Sequence, residues 1–237
     1  MRLILYGVTK SFDKVKVLKG ATALFEMGSV YGILGPKGSG KSTLINCITG
    51  EDNIDSGSIQ LLDETGDNVF NYNQVGVAFS VPVLPNFLTC NEMIRFFIEA
   101  NRDKLSADID MDECFKFVNI EIGDRYRLIE DCSDAVKYKL QLLCVILANP
   151  TVIILDEPTI LYDAEFTRDL REILRALTQD HIIIIATNKL ESIQSICDNI
   201  MVLNKGELNI LQRETLNNDA VLETVKDLVT EDEGELQ

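Results

Sequence analysis

A glycine-rich segment in the first quarter of the chain has the residue types that hold phosphate groups. It matches the pattern GxxxxGK[ST] and stands between a short apolar run and a segment of helical spacing. Its glycines let backbone N–H groups turn inward around phosphate oxygens, and the following helix directs its positive end at them. We expect Lys41 to reach the outer phosphates and Ser42 to ligate Mg²⁺. The predicted phosphate-binding residues are Gly35, Pro36, Lys37, Gly38, Ser39, Gly40, Lys41, Ser42 and Thr43.

Two adjacent carboxylates follow an aliphatic run later in the chain. Val152–Leu155 precedes Asp156 and Glu157. Asp156 suits the outer coordination shell of Mg²⁺, and Glu157 suits the base that polarises an attacking water. The pattern is weak alone, because strands often end in acidic turns. Together with the phosphate loop it predicts a hydrolytic site in which Glu157 is catalytic and Asp156 lies at the metal.

The segments around these motifs predict a parallel α/β sheet. Val30–Leu34 is a short strand before the loop, and Lys41–Thr49 has helical spacing after it. Val152–Leu155 and Ile182–Ala186 are continuous aliphatic runs, typical of parallel strands buried on both faces. A helix over Ala164–Leu177 would cross between them.

The other segments add antiparallel strands and an inserted helical region. Strands are predicted at Arg2–Val8 and Ala21–Phe25, and at Ser58–Leu62 and Val75–Phe79 around a hairpin-forming Glu64–Asp67. One helical pattern runs from Asn91 to about Asn119, and a second from Ser133 to Leu147. We therefore expect a helical insertion at about 88–148.

Composition restricts the classes of function. The 237 residues include 22 basic and 38 acidic ones, a net charge of −16, which disfavours nucleic acid as a partner. The longest apolar stretch, Leu140–Ala148, falls short of the roughly 20 residues that span a bilayer, and we expect no signal peptide. Six cysteines without a CxxC pair are expected to be reduced thiols. The only histidine, His181, precedes a strand and is predicted to lie on the surface, far from the phosphate loop.

The motifs resemble those of the nucleotide-binding domain of ABC transporters. The phosphate loop, the Asp156–Glu157 strand, Pro158-Thr159 and Asp163 stand in that family's order, within a resemblance that covers roughly 2–215. It implies one domain over 1–237: a P-loop NTPase core with a mainly parallel sheet, a small antiparallel β layer, an inserted helical subdomain at about 88–148 and an acidic C-terminal tail at 216–237.

The resemblance also implies ligands and partners. These are ATP and Mg²⁺, a transmembrane permease subunit, and a second nucleotide-binding domain in a homo- or heterodimer. The family's adenine-stacking aromatic falls at Phe12, for which a core position near a strand end is the alternative. The resemblance also implies that Asp163 is one of the nucleotide-binding residues. The chain would lie in the cytoplasm, attached to the membrane through the permease.

Three motifs depart from the family pattern. Ser80 stands where the family has a glutamine, so the reach of a long amide side chain is lost. Asn188 stands where the family has a histidine, and its side chain cannot transfer a proton. In the signature segment Cys132–Val136, Ser133 is retained, whereas Asp134 and Ala135 replace two glycines. A carboxylate there repels a polyphosphate, and a Cβ hinders close approach.

Two functions fit this combination of intact and altered motifs. The first is an ATP-binding subunit of a membrane transport complex that hydrolyses ATP slowly, paired with a partner whose motifs are fuller. The second is a regulatory or scaffold module that binds ATP without turnover. Glu157 favours the first, and the altered positions favour the second.

Overall fold

The structure, a computed structural model, describes residues 1–105, 108–158 and 164–211. Thr159, Asp163 and the predicted tail at 216–237 lie outside the described residues. The strands are β1 (Arg2–Phe12), β2 (Val15–Glu26), β3 (Val30–Leu34), β4 (Ser56–Leu62), β5 (Val75–Ala78), β6 (Val152–Asp156), β7 (Ile182–Thr187), β8 (Asn199–Asn204) and β9 (Glu207–Leu211). The helices are α1 (Lys41–Thr49), α2 (Cys90–Ala100), α3 (Met111–Phe117), α4 (Ile122–Arg125), α5 (Asp134–Leu147), α6 (Ala164–Leu177) and α7 (Leu190–Gln194).

A six-stranded sheet in the order β5-β6-β7-β3-β8-β9 forms the centre of the fold. Its first five strands run parallel, and β9 pairs antiparallel with β8. The aliphatic runs predicted as strands are buried on both faces, as parallel strands require. Because β3, β6 and β7 are parallel neighbours, their carboxyl ends meet at one edge. The phosphate loop follows β3 there, and Asp156 and Thr187 are the last residues of β6 and β7.

Two apolar layers cover the central sheet. On one face α5 and α6 pack, the latter through one stripe of buried residues: Phe166, Leu170, Ile173, Leu174 and Leu177. On the other face lie α1 and a three-stranded antiparallel sheet in the order β2-β1-β4, which contributes Leu3, Leu5 and Phe25. Each of these buried side chains stabilises the fold by about 1.5–3 kcal/mol relative to exposure. The α/β class with an antiparallel layer is confirmed.

The predicted hairpin around Glu64–Asp67 is partly wrong. A tight turn does form there, because the Asp63 carboxylate accepts hydrogen bonds from the backbone N–H of Thr65 at 2.9 Å and of Asp67 at 3.0 Å. The strands on either side of the turn are not partners: β4 pairs with β1, and β5 pairs with β6. The turn does close a short antiparallel bridge between Leu62 and Asn68, where the Val69 N–H donates to the Leu61 carbonyl at 2.8 Å. What is wrong is the pairing of the two predicted strands, since the chain passes from the turn to the other sheet.

The helical region between β5 and β6 is more divided than the sequence pattern predicts. The stretch predicted from Asn91 to about Asn119 contains two helices, α2 and α3. Helix α2 begins with a Thr89–Glu92 capping box. It is capped at its end by Asn101, whose side-chain amide donates to the Phe97 carbonyl at 2.9 Å. Asp110 then caps α3. Each helix therefore has its own polar start signal, which the apolar spacing did not reveal.

His181 contradicts its predicted surface position. Its ring is 5% exposed, and Nδ1 lies 2.6 Å from the Pro150 carbonyl oxygen. The residue does stand before β7, at the end of that strand opposite Thr187. Burial follows because β6 and β7 are adjacent and their preceding loops pack together, so the histidine joins two loops. None of the helices in the described ranges is long and apolar enough to cross a membrane.

Candidate active site

The phosphate loop connects the end of β3 to the start of α1. The Gly35 N–H donates to the Thr187 carbonyl at 3.1 Å, which fixes the loop to the end of β7. A side chain at Gly35 would overlap the Leu203 carbonyl and the Ser39 hydroxyl, so only glycine fits. Gly40, the residue before α1, has φ of 103°, a left-handed conformation that favours glycine. The chain thus turns sharply into a helix N-terminus.

Lys41 is the buried cation of this loop. It is 6% exposed, and its Nζ donates to the carbonyls of Gly35 at 2.8 Å and Pro36 at 3.1 Å. The same ammonium lies 3.1 Å from Glu157 Oε1. The two residues predicted for phosphate binding and for catalysis are therefore in direct contact.

Glu157 is held in one orientation by two partners. Its second oxygen, Oε2, accepts a hydrogen bond from the backbone N–H of Asn188 at 3.2 Å, opposite the Lys41 contact. The backbone of Glu157 has φ of 43°, a left-handed conformation that costs about 1–2 kcal/mol for a residue with a side chain. Its N–H donates to Ala186 at 2.8 Å, which holds that conformation. The carboxylate is thereby fixed at the loop.

Asp156 supplies an oxygen that has no hydrogen-bond partner within the described ranges. Its Oδ1 is buried at the end of β6. Burial, and then the negative charge of Glu157, raise the pKa of this carboxyl, and Lys41 opposes them. Such an oxygen suits a hard divalent cation. The exposed first turn of α1 carries Ser42, whose hydroxyl suits the same kind of ion, so the donor set fits Mg²⁺.

A cleft of about 840 Å³ opens over the loop. Predicted residues that line it are Phe12, Lys37, Gly38, Gly40, Lys41, Ser42, Thr43, Ser80, Glu157 and Asn188. Those that do not line it are Gly35, Pro36, Ser39, Asp156 and Ser133. The lining residues that the sequence analysis missed are Val17, Pro158, Thr187 and Lys189. Val17 could have been found from the alternation of β2, and the others from their positions at or just beyond the carboxyl ends of β6 and β7.

Phe12 ends β1 at the mouth of the cleft. Its ring is 44% exposed, so the alternative of a core phenylalanine is wrong. The Lys10 ammonium lies 5.0 Å from the ring centroid and also donates to the Asn53 carbonyl at 2.7 Å. The ammonium group is attracted to the face of the aromatic ring, and this contact orders both side chains. The aromatic plane is thus available at the opening.

The residues that depart from the family pattern have different surroundings in the structure. Ser80, half-buried, lines the cleft directly after Phe79, whose carbonyl accepts from Gln141 Nε2 of α5 at 2.9 Å. Asn188 lines the cleft and donates its backbone N–H to Glu157 Oε2 at 3.2 Å. Ser133 caps α5 by accepting from the Val136 N–H at 3.3 Å.

Helix α5 also carries a residue that the sequence analysis missed. Tyr138 is 1% exposed, and its hydroxyl has no hydrogen-bond partner within the described residues. Burial, followed by the charge of Asp156, raises the pKa of this phenol. No sequence signal distinguished Tyr138 from an ordinary core aromatic.

Comparisons with known proteins identify relatives of this chain. A family model described as ABC transporter matches residues 18–160. The chain is 30% identical over 222 residues to the sulfate/thiosulfate import ATP-binding protein CysA 2 of Agrobacterium fabrum, covering 91% of this chain and 64% of that protein. It is 32% identical over 209 residues to CysA of Synechococcus elongatus, covering 85% and 59%. The chain therefore spans about three fifths of the length of these relatives.

Solved structures share the fold. An ATP-binding subunit of an ABC transporter has a TM-score of 0.75 at 20% identity, covering 97% of this chain and all of that one. An ATP-binding cassette in its ADP conformation has a TM-score of 0.74 at 21% identity, covering 94% and 98%. With a matching family model over more than half its length and the phosphate loop and Asp156–Glu157 strand in place, the chain belongs to the ABC transporter family.

Proposed function

We propose that the chain binds Mg-ATP in the 840 Å³ cleft and hydrolyses it slowly, as the ATP-binding subunit of an ABC-type membrane transport complex. The observation that carries this proposal is the 3.1 Å contact between Lys41 Nζ and Glu157 Oε1 over the phosphate loop. A buried cation beside an oriented carboxylate provides both phosphate binding and activation of water.

The residues of the loop bind and orient the nucleotide. Lys41 and the backbone N–H groups of the loop take the phosphate oxygens, so Lys41 exchanges its carbonyl contacts for them. Ser42 and Asp156 hold Mg²⁺, which neutralises charge on the phosphate oxygens when bound. Glu157, fixed between Lys41 and the Asn188 N–H, accepts a hydrogen bond from the attacking water. Phe12 stacks on the adenine with the ring face that Lys10 leaves open.

Three substitutions at family positions support slow turnover. Ser80 is too short for direct metal contact, and Asn188 directs its backbone at Glu157, with no group that becomes positive. Asp134 is exposed at the start of α5, where the family's loop carries a glycine. Each lost contact to developing negative charge lowers a rate by about 10²–10³. A second nucleotide-binding domain with a fuller signature segment would restore part of this loss.

The alternative function, a regulatory or scaffold module that binds ATP without turnover, is favoured by one observation. Asp134 is an exposed carboxylate in the segment that the family presses onto the γ-phosphate of the other subunit. Repulsion between that carboxylate and the phosphate would prevent the closed dimer from forming. The retained Glu157 favours slow hydrolysis over this alternative.

An exposed apolar segment beside the cleft supports a membrane partner. Val81, Val83 and Phe87 follow Ser80 and are 74%, 88% and 77% exposed. We propose that a short helix of a permease subunit covers these three residues and packs against the helical subdomain at about 88–148. This subdomain is an insertion in one domain that spans 1–237. The contact would attach the chain to the cytoplasmic side of the membrane. We also propose Asp163, which lies outside the described residues, as a nucleotide-binding residue.

Binding and phosphate release by the purified protein test these functions. Steady-state phosphate release from Mg-ATP that Glu157→Gln abolishes, with ATP binding intact, supports the transport ATPase. Tight ATP binding without phosphate release, alone and with a membrane partner, supports the regulatory module. A folded protein that binds no ATP contradicts both.

A further inference from the structure

A second, basic cavity adjoins the phosphate loop. It measures about 310 Å³ and lies between β2, the turn from β8 to β9 and the loop. It shares Val17 and Gly38 with the nucleotide cleft. Its side-chain charges are the ammonium groups of Lys16, Lys19 and Lys205, and no acidic residue lines it within the described ranges.

These lysines lack carboxylate partners, although the chain has 38 acidic and only 22 basic residues. Lys16, Lys19 and Lys205 are exposed, and in the part of the chain that the structure describes none of them forms an ion pair. By contrast, Lys41, Lys116 and Lys139 each lie within 3.1 Å of a carboxylate oxygen. An unpaired group of like charges is therefore concentrated beside the phosphate loop.

The backbone fixes the positions of these lysines. The Lys19 N–H donates to the Gly206 carbonyl at 2.8 Å, which joins β2 to the turn that carries Lys205. Gly206 has φ of 84° and packs so closely on β2 that a side chain there would overlap the Val17 carbonyl. Strand and turn thus present their lysines together at one opening.

We propose that this cavity is an accessory binding site for polyphosphate, which captures the phosphate tail of an incoming nucleotide beside the loop. The inference rests on the proposed function, because the nucleotide cleft is the destination. The net charge of −16 repels a polyanion, but salt screens charges beyond about 8 Å at physiological ionic strength. The nearby lysines therefore dominate the field at the cleft entrance and increase the association rate.

Association kinetics with a fluorescent ATP analogue test this role. We compare the wild type with the variant Lys16→Gln/Lys19→Gln/Lys205→Gln. In stopped-flow experiments at low ionic strength, the association rate constant should fall about tenfold, with the dissociation rate constant within about twofold. The difference should shrink in 1 M salt, where screening acts within about 3 Å.

A matched control separates local from overall charge. The variant Arg102→Gln/Lys104→Gln/Lys116→Gln has the same net charge but changes residues that line neither cavity. It should associate with the analogue within about twofold of the wild-type rate. Equal association rates for the two triple variants would overturn the accessory site.

A second titration does not depend on nucleotide binding. Inorganic tripolyphosphate, followed by NMR of the labelled lysine side chains, should shift the signals of Lys16, Lys19 and Lys205 in the wild type and in Lys41→Ala. Unshifted signals would refute the site. If the wild type binds no ATP analogue, the proposed function fails, and this titration alone decides the inference. Tripolyphosphate that slows nucleotide association only when the three lysines are present assigns the site to the nucleotide's own phosphates.

Discussion

Replacing Asp156 with asparagine should stabilise the protein without ligand and weaken its binding of Mg-ATP. Burial and the neighbouring Glu157 raise the pKa of Asp156 in the folded state. A carboxyl whose pKa is raised by folding favours the protonated native state, so its ionised form lowers stability as the pH rises through the folded pKa. At neutral pH the wild type therefore contains a destabilising charge.

The magnitude follows from the buried oxygen. Asp156 Oδ1 has no hydrogen-bond partner among the described residues, and such an atom costs about 1–3 kcal/mol when neutral and more when charged. Asparagine keeps a polar atom there, so the substitution removes only the excess cost of the charge. Because part of the carboxyl reaches solvent, we expect a gain of about 1 kcal/mol in the free energy of unfolding, or about 2–4 °C in melting temperature. The measurement is thermal unfolding with EDTA at neutral and at acidic pH, where protonation of Asp156 should reduce the difference.

The control is Asp169, a buried aspartate whose pKa is lowered instead of raised. Burial tends to raise the pKa of Asp169, but hydrogen bonds from Lys139 at 2.8 Å and Asn119 at 2.8 Å lower it. Asp169→Asn should lower the free energy of unfolding at neutral pH by about 3 kcal/mol, since it leaves the Lys139 charge buried without its partner. If Asp156→Asn also destabilises the ligand-free protein, or if Mg-ATP stabilises it as much as the wild type, the reasoning about this carboxyl is wrong.

Three further changes test the remaining residues. Phe12→Ala should weaken ATP binding about fivefold through lost stacking, measured against Phe12→Tyr, which should bind like the wild type. Asp134→Gly with Ala135→Gly should strengthen ATP-dependent dimerisation in light scattering, and unaltered association would contradict the charge repulsion. His181→Ala should lower the free energy of unfolding by about 2 kcal/mol because the ring is buried on Pro150, while ATP affinity stays the same; a loss of affinity would place it at the site.

The sequence predicted the elements whose chemistry is local. The phosphate loop, α1 and the aliphatic strands β3, β6 and β7 were predicted because glycine spacing and continuous apolar runs are short-range signals. The turn at Glu64–Asp67 was also predicted, but the partners of the flanking strands were not, since the partner of β4 is set by packing against β1. Burial of His181 depends on a contact with Pro150, 31 residues away in the chain.

In the candidate site, too, the sequence predicted local motifs but not the contacts between distant residues. Lys41 and Glu157 were assigned from separate motifs, and the structure brings their side chains to 3.1 Å. Asn188 was singled out by its side chain, at the position where the family has a histidine, whereas the contact that the structure shows is made by its backbone N–H to Glu157. Backbone contacts carry no residue-type signal, so this orienting hydrogen bond could not be predicted. Tyr138 is similar, because its place near Asp156 depends on how α5 packs on the sheet.

The most direct measurement is ATP affinity of the wild type and Lys41→Ala in the presence of Mg²⁺. Lys41 is the buried cation that contacts Gly35, Pro36 and Glu157 at the loop, and losing a charge-assisted contact of this kind costs about 3 kcal/mol, or more than 100-fold in affinity. We predict that the wild type binds Mg-ATP and that Lys41→Ala, folded by circular dichroism, binds at least 100-fold more weakly. Equal affinity of the two proteins would contradict the assignment of this loop as the nucleotide site.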